Sequence, residues 1–246
     1  ENIIQPLLAI KSVLVEKYNS LYLDELDSLM DKVNIFKTHF AALDIRQNHD
    51  VHYRTIQEIL KKAGYIKQSL SELSQGELTG ILLHKNIQIH PDLYPDELVK
   101  DTIVNIAQLK LIQEKNGEEG CNRYVISNSE DVFSVLFVYA LFRWCGWETE
   151  NLTFDIIPLF ESMEGMKNAP GIMQQLFEIP EYYAHLGRRG KTQTMMLGFS
   201  DGTKDGGFLM ANWSIFKTKE KLTAVCNEYG VNAIFFDGRG GPPVRG

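Results

Sequence analysis

Six side chains in this sequence have types and positions suited to phosphoryl and carboxylate chemistry: Arg46, Glu161, Asp201, Lys204, Arg239 and Arg245. Glu161 follows an apolar run over 154–160, and Asp201 follows another over 194–199. If both runs are parallel strands, their C-terminal ends converge on one mouth. There Mg²⁺ or Mn²⁺ takes paired carboxylates with water and substrate oxygens in the other positions. Two solvated or helix-capping acids would give the same spacing. Lys204 lies in Asp201-Gly202-Thr203-Lys204-Asp205-Gly206-Gly207. That loop fails the spacing of a nucleotide phosphate loop, because Asp205 follows the lysine. Lys204 either points into the mouth beside Asp201 or is the solvated lysine of a plain strand-to-helix turn. Gly238-Arg239-Gly240-Gly241 through Arg245-Gly246 sets two arginines six apart on a glycine-rich loop. Such a loop suits fork-like recognition of phosphate or carboxylate. Arg46 ends an apolar stretch and needs an anion, which a ligand or Asp44 would supply.

Other chemistry finds less support. The six histidines show no metal-ligand spacing, and no G-x-S-x-G elbow or Cys–His constellation is visible. Cys121, Cys145 and Cys226 are odd in number and widely spaced, which fits free buried thiols in a reducing cytosol.

The elements that must hold these residues follow from periodicity. Residues 3–33 repeat apolar side chains at helical spacing, and 36–46 turn extended and end at Arg46. Helices are expected over 51–63, 96–115, 169–177 and 208–229, and a deeply buried one from 132 to about 146. Strands are expected over 123–127, 154–160, 194–199 and 232–236. Ser127 and Glu130 have the spacing of a capping box for the helix after them. Strand, polar loop and helix alternate after residue 120, which points to a parallel sheet with its polar clusters at the C-terminal strand ends. The expected fold is therefore α/β: about five of the eight strands of a TIM-like barrel, enlarged by helices. Residues 1–35 form a helical segment, and 36–246 belong to the partial barrel.

Composition narrows the partners. The chain has 246 residues, 25 Lys+Arg against 32 Asp+Glu, 44% hydrophobic and 23% charged residues, and a net charge of −7. That is an ordinary globular composition. It carries no basic stripe of the kind that nucleic-acid binding uses. Its longest apolar stretch, 132–142, is shorter than the ~20 residues of a membrane span. The chain opens without an initiator Met and stops at Gly246 inside a glycine-rich loop, so both ends are expected to continue.

Taken together, the motifs resemble those of the phosphoenolpyruvate carboxylase family. The match runs through Leu43-Asp44-Ile45-Arg46-Gln47 with His52, Tyr124-Val125-Ile126-Ser127, and Pro158-Leu159-Phe160-Glu161 with Asn168-Ala169-Pro170. It continues through Gly198-Phe199-Ser200-Asp201 with Lys204-Asp205, Trp213, and Gly238-Arg239-Gly240-Gly241 with Arg245-Gly246. The resemblance implies a cytoplasmic homotetramer requiring Mg²⁺ or Mn²⁺, which converts phosphoenolpyruvate and bicarbonate to oxaloacetate and phosphate through carboxyphosphate and an enolate. It puts Glu161 and Asp201 on the metal ligands and Lys204 on a catalytic lysine. Arg46 and Arg239 fall on phosphate-binding arginines, and Arg245 on a mobile-loop arginine of the bicarbonate steps. Two positions depart from the family pattern: Asp237 stands where a histidine is usual, and Gly202-Thr203 where serine-alanine is usual. The family's catalytic histidine would lie upstream and further arginines downstream, so the isolated chain is expected to be inactive. A related Mg²⁺-dependent phosphoenolpyruvate or pyruvate barrel, lyase or aldolase, and a noncatalytic scaffold domain are the alternatives.

Overall fold

A computed structural model describes residues 3–37 and 39–238, with side chains throughout except at 200–206. The chain divides into two compact units. One comprises the residues up to Leu43 with Leu111–Cys121; the other comprises Asp44–Lys110 and the residues from Asn122 on.

In the first unit the helical periodicity resolves into two helices, α1 (Ile4–Lys17) and α2 (Leu23–Phe36). The single helix expected over 3–33 is broken because Asn19, Ser20 and Tyr22 all adopt positive φ. A lone left-handed residue already ends a helix, and Asn and Ser tolerate that conformation better than apolar residues do. Lys11 Nζ reaches Asp27 Oδ1 at 2.7 Å and ties the two helices together.

The second unit is built on five parallel strands: β1 (Asp44–Asn48), β2 (Arg123–Ser127), β3 (Asp155–Phe160), β4 (Thr192–Gly198) and β5 (Asn232–Gly238). They lie side by side in sequence order. That order, with a helix between successive strands, is the winding of an α/β barrel. The sheet is not closed, and the fold is the expected partial barrel. The crossovers use α3 (His49–Lys62), α4 (Gln75–His84), α5 (Glu97–Asn116, to Lys110 in this unit), α6 (Val132–Trp144), α7 (Met163–Glu178), α8 (Pro180–Arg188) and α9 (Ser200–Glu228).

Side chains alternate across a strand, so the register sorts them by face. Arg46 pairs with Val125 and Val125 with Ile157; Leu159 pairs with Met196 and Met196 with Phe236. Val125, Ile157 and Leu159 form a buried cluster with Met196 packed on it. This is the face that would line a barrel interior. Its last strand leaves Ile234 and Phe236 about half exposed. The opposite face buries Tyr124, Ile126, Ile156, Phe160, Met195 and Leu197. Helix α6 is buried from Phe133 to Phe142, as its all-round apolar sequence requires.

The extended stretch expected over 36–46 is not one strand. Helix α2 runs to Phe36, Lys37 and Phe40 take positive φ, and β1 spans Asp44–Asn48. Arg46 therefore stands at the middle of its strand and does not end it. Three further boundaries differ from expectation for physical reasons. Helix α6 starts at Val132 on an Asp131 cap, whose carboxylate accepts the Ser134 N–H at 3.1 Å, so Ser127 and Glu130 form no capping box. Asn128, at φ 56°, turns the chain first. Helix α7 starts at Met163 and not near 169, which puts Pro170 inside it. Proline has no N–H for the carbonyl four residues back. Thr218 of α9 supplies the missing donor, its hydroxyl reaching the buried Met166 carbonyl at 3.2 Å. Helix α9 runs from Ser200 and bends at Gly207 (φ 79°), just before the expected start at 208.

Candidate functional site at the C-terminal strand ends

Glu161 sits on the shortest of links. Strand β3 ends at Phe160, and Ser162 caps α7, its hydroxyl accepting the Gly165 N–H at 2.9 Å. One residue therefore carries the carboxylate between two fixed elements. Its Oε1 accepts the backbone N–H of Asn128 at 2.8 Å, and its Oε2 lies 3.7 Å from Nη2 of Arg46. The left-handed turn at Asn128 comes directly after β2, so the donor belongs to the strand between those of Arg46 and Glu161.

Arg46 is placed with similar economy. Asn48 ends β1 and caps α3, accepting the Asp50 N–H at 2.7 Å, and Gln47 Oε1 accepts the Asn48 N–H at 2.8 Å. The Arg46 side chain is 52% exposed and that of Glu161 is 17% exposed. An ion pair so wetted on one side contributes about 0–1 kcal/mol. Its guanidinium thus keeps donors for another anion. Asp44, the alternative partner, instead holds Arg123 at 2.8 Å.

The other site residues are only partly in view. Asp201 and Lys204 belong to the first turns of α9, which follows β4, the neighbour of β3; their side chains lie outside the described ones. Arg239 and Arg245 lie outside the described residues. Asp237 is described: it pairs in register with Leu197 on the helix-covered face, and its Oδ1 meets Lys219 Nζ of α9 at 2.6 Å.

Among the described residues no group of three or more His, Cys, Asp or Glu is set to share an ion. The carboxylate that is present, largely shielded Glu161 at the sheet's C-terminal edge, offers the hard oxygen that Mg²⁺ and Mn²⁺ take. His52, Cys145 and Cys226 are unsuited to acid–base or nucleophilic work at neutral pH. Burial, then the nearby His49, pushes His52 down to about 3, and its Nε2 lies 2.9 Å from the Tyr124 hydroxyl. Burial raises the Cys145 thiol to about 12 and the Cys226 thiol to about 11, far from a reactive thiolate.

Sequence reasoning missed Asn128, Ser162 and Lys219, and quoted Gly198 only as part of a motif, with no role. Ser162, directly after Glu161 and three residues before Gly165, had the visible signal of a helix cap. The others act through backbone geometry or long-range pairing and carry no local signature.

Fold and site together define a domain of the α/β-barrel class whose candidate site, a cation and a carboxylate, lies at the C-terminal strand ends. Comparison with known proteins narrows the class. The family profile for phosphoenolpyruvate carboxylase matches residues 1–246, and the chain belongs to that family. It is 35% identical over 240 residues to a phosphoenolpyruvate carboxylase of Thermosynechococcus vestitus, covering 94% of this chain and 24% of that protein. It is 33% identical over 234 residues to one of Paraburkholderia xenovorans, covering 90% and 23%. A third, of Gloeobacter violaceus, is 34% identical over 229 residues, covering 90% and 24%. The chain thus spans about a quarter of the length of the curated relatives it matches. No described helix is long and apolar enough to cross a membrane.

Proposed function

We infer that the chain is the part of a cytoplasmic, homotetrameric phosphoenolpyruvate carboxylase that holds one side of the active site. The whole enzyme joins phosphoenolpyruvate and bicarbonate to give oxaloacetate and phosphate. The observation that carries this reading is the pairing of Arg46, a half-exposed cation in the middle of β1, with Glu161, a shielded carboxylate just past the end of β3, 3.7 Å apart.

Each residue has a role the chemistry requires. Arg46 and Arg239 bind the phosphoryl oxygens of phosphoenolpyruvate and neutralise charge as bicarbonate oxygen attacks phosphorus. Glu161 and Asp201 would hold Mg²⁺ or Mn²⁺, which when bound supplies positive charge to the oxygen that becomes anionic. Lys204 adds a further cation to the mouth. Arg245 serves the bicarbonate steps from the glycine-rich loop, whose closure keeps water and protons from the enolate. The 246-residue chain alone is inactive in this reading, because catalytic groups that act as a unit fail non-additively when members are removed.

The test is oxaloacetate formation by the full-length protein with phosphoenolpyruvate, Mg²⁺ and bicarbonate. Bicarbonate-dependent oxaloacetate is the expected product. Pyruvate or a condensation product formed without bicarbonate would overturn the reading in favour of a lyase or aldolase. Turnover by the 246-residue chain alone would overturn its predicted inactivity.

A further inference from the structure

Gly198 ends β4 beside Glu161, and its φ lies outside the left-handed region, so its conformation does not demand glycine. Space does. A Cβ at 198 would lie 2.5 Å from the Glu161 Cβ, closer than real Cβ atoms come, and a tight 3.0 Å from its Cα. Glu161 cannot easily yield, because Phe160 pairs with Leu197 on one side of it and the Ser162 cap starts α7 on the other. Its Oε1 is meanwhile held by the Asn128 N–H at 2.8 Å. We propose that Gly198 is a positioning residue: its missing side chain, with the Asn128 amide, sets where the Glu161 carboxylate stands in the mouth. This rests on reading Glu161 as a divalent-ion ligand.

A group that positions a ligand is worth about 10–100-fold in metal affinity. The experiment is Mn²⁺ titration of the full-length protein, followed by the resonance signal of free Mn²⁺, in wild type, Glu161→Gln and Gly198→Ala. Glu161→Gln tests the reading on which the proposal rests, and wild-type Mn²⁺ affinity in that variant would remove Glu161 from the ligands. With the reading intact, Gly198→Ala is expected to bind Mn²⁺ 10–100-fold more weakly, and wild-type affinity would overturn the proposal. A crystal structure of Gly198→Ala decides independently of any metal. A displaced Glu161 supports the positioning role, and an unmoved one refutes it. If Gly198→Ala does not fold, Glu161→Gly/Gly198→Ala separates the causes, since the clashing Cβ is gone. Recovery to near the thermal midpoint of Glu161→Gly supports the proposal; a double variant that still fails to fold overturns it.

Discussion

Replacing Thr218 by valine should destabilise the second unit through a carbonyl on a different helix. Pro170 cannot donate to the Met166 carbonyl, and the Thr218 hydroxyl does so at 3.2 Å inside the α7–α9 contact. Met166 is 1% exposed and Thr218 5%, so no water replaces the lost donor. Valine keeps the volume and leaves one buried acceptor unpaired, at a cost of about 1–3 kcal/mol. For a unit of this size the thermal midpoint falls by roughly 2–4 °C per kcal/mol. A double-mutant cycle isolates the cause. Pro170→Ala restores the helical N–H, so in that background Thr218→Val should cost less than about 1 kcal/mol, leaving a coupling of about 1–2 kcal/mol. Urea melts of the four proteins would measure it. An equal cost in both backgrounds would show that Thr218 acts through packing and not through the orphaned carbonyl.

In the full-length protein, Arg46→Gln should lower kcat/KM for phosphoenolpyruvate by about 10–100-fold, the loss of a charge-assisted hydrogen bond, with an unchanged melt. Steady-state kinetics with varied phosphoenolpyruvate reads it. Lys204→Ala should reduce oxaloacetate turnover by about 100-fold or more while circular dichroism stays native, and near-wild-type turnover would remove the residue from the catalytic set. Stability should fall in mild acid. His52 is near 3 when folded and 6.5 by its ordinary value, so between these the unfolded chain binds more protons and stability rises with pH. The contribution is full above about 6.5, and by pH 5.5 about 1.4 kcal/mol is lost. Between pH 7 and 5.5, urea melts should show wild type losing about 1 kcal/mol more stability than His52→Gln, and an equal loss in both would refute the assignment.

Four strands of the sheet were legible because each is a short, mainly apolar run with a polar residue behind it. Strand β1, Asp44-Ile45-Arg46-Gln47-Asn48, is mainly polar and was expected too early. Strand β2 matches expectation residue for residue, and β3, β4 and β5 differ only at their ends. Helix starts were less legible. Three strong cap candidates, Ser127, Ser129 and Asp131, stand within five residues, and the left-handed turn at Asn128 decides among them. Pro170 suggested a late start for α7, since proline is cheapest in a first turn. A threonine 48 residues away makes the interior position tolerable, and no local pattern reveals such a partner. The types of the site residues could be read from the sequence. The anion partner of Arg46 could not, because both Asp44 and a ligand were open and the structure pairs it with Glu161 across a strand.

Register also explains why the departure at Asp237 differs in kind from a change at Arg46 or Glu161. A parallel sheet presents alternate residues to its mouth and the others to its helices. Asp237 shares the face of Leu197, under α9, where Lys219 meets its carboxylate at 2.6 Å and also covers the ring of Phe235 at 5.7 Å. The acid is therefore paired behind the sheet, on the strand that ends at Gly238. Its neighbour Gly238 stands on the mouth side, where an added Cβ would press on Met196 at 3.0 Å. Gly198 at the end of β4 thus leaves room for Glu161, and Gly238 at the end of β5 leaves room for Met196 and Gly198, while charge pairing fixes the layer beneath.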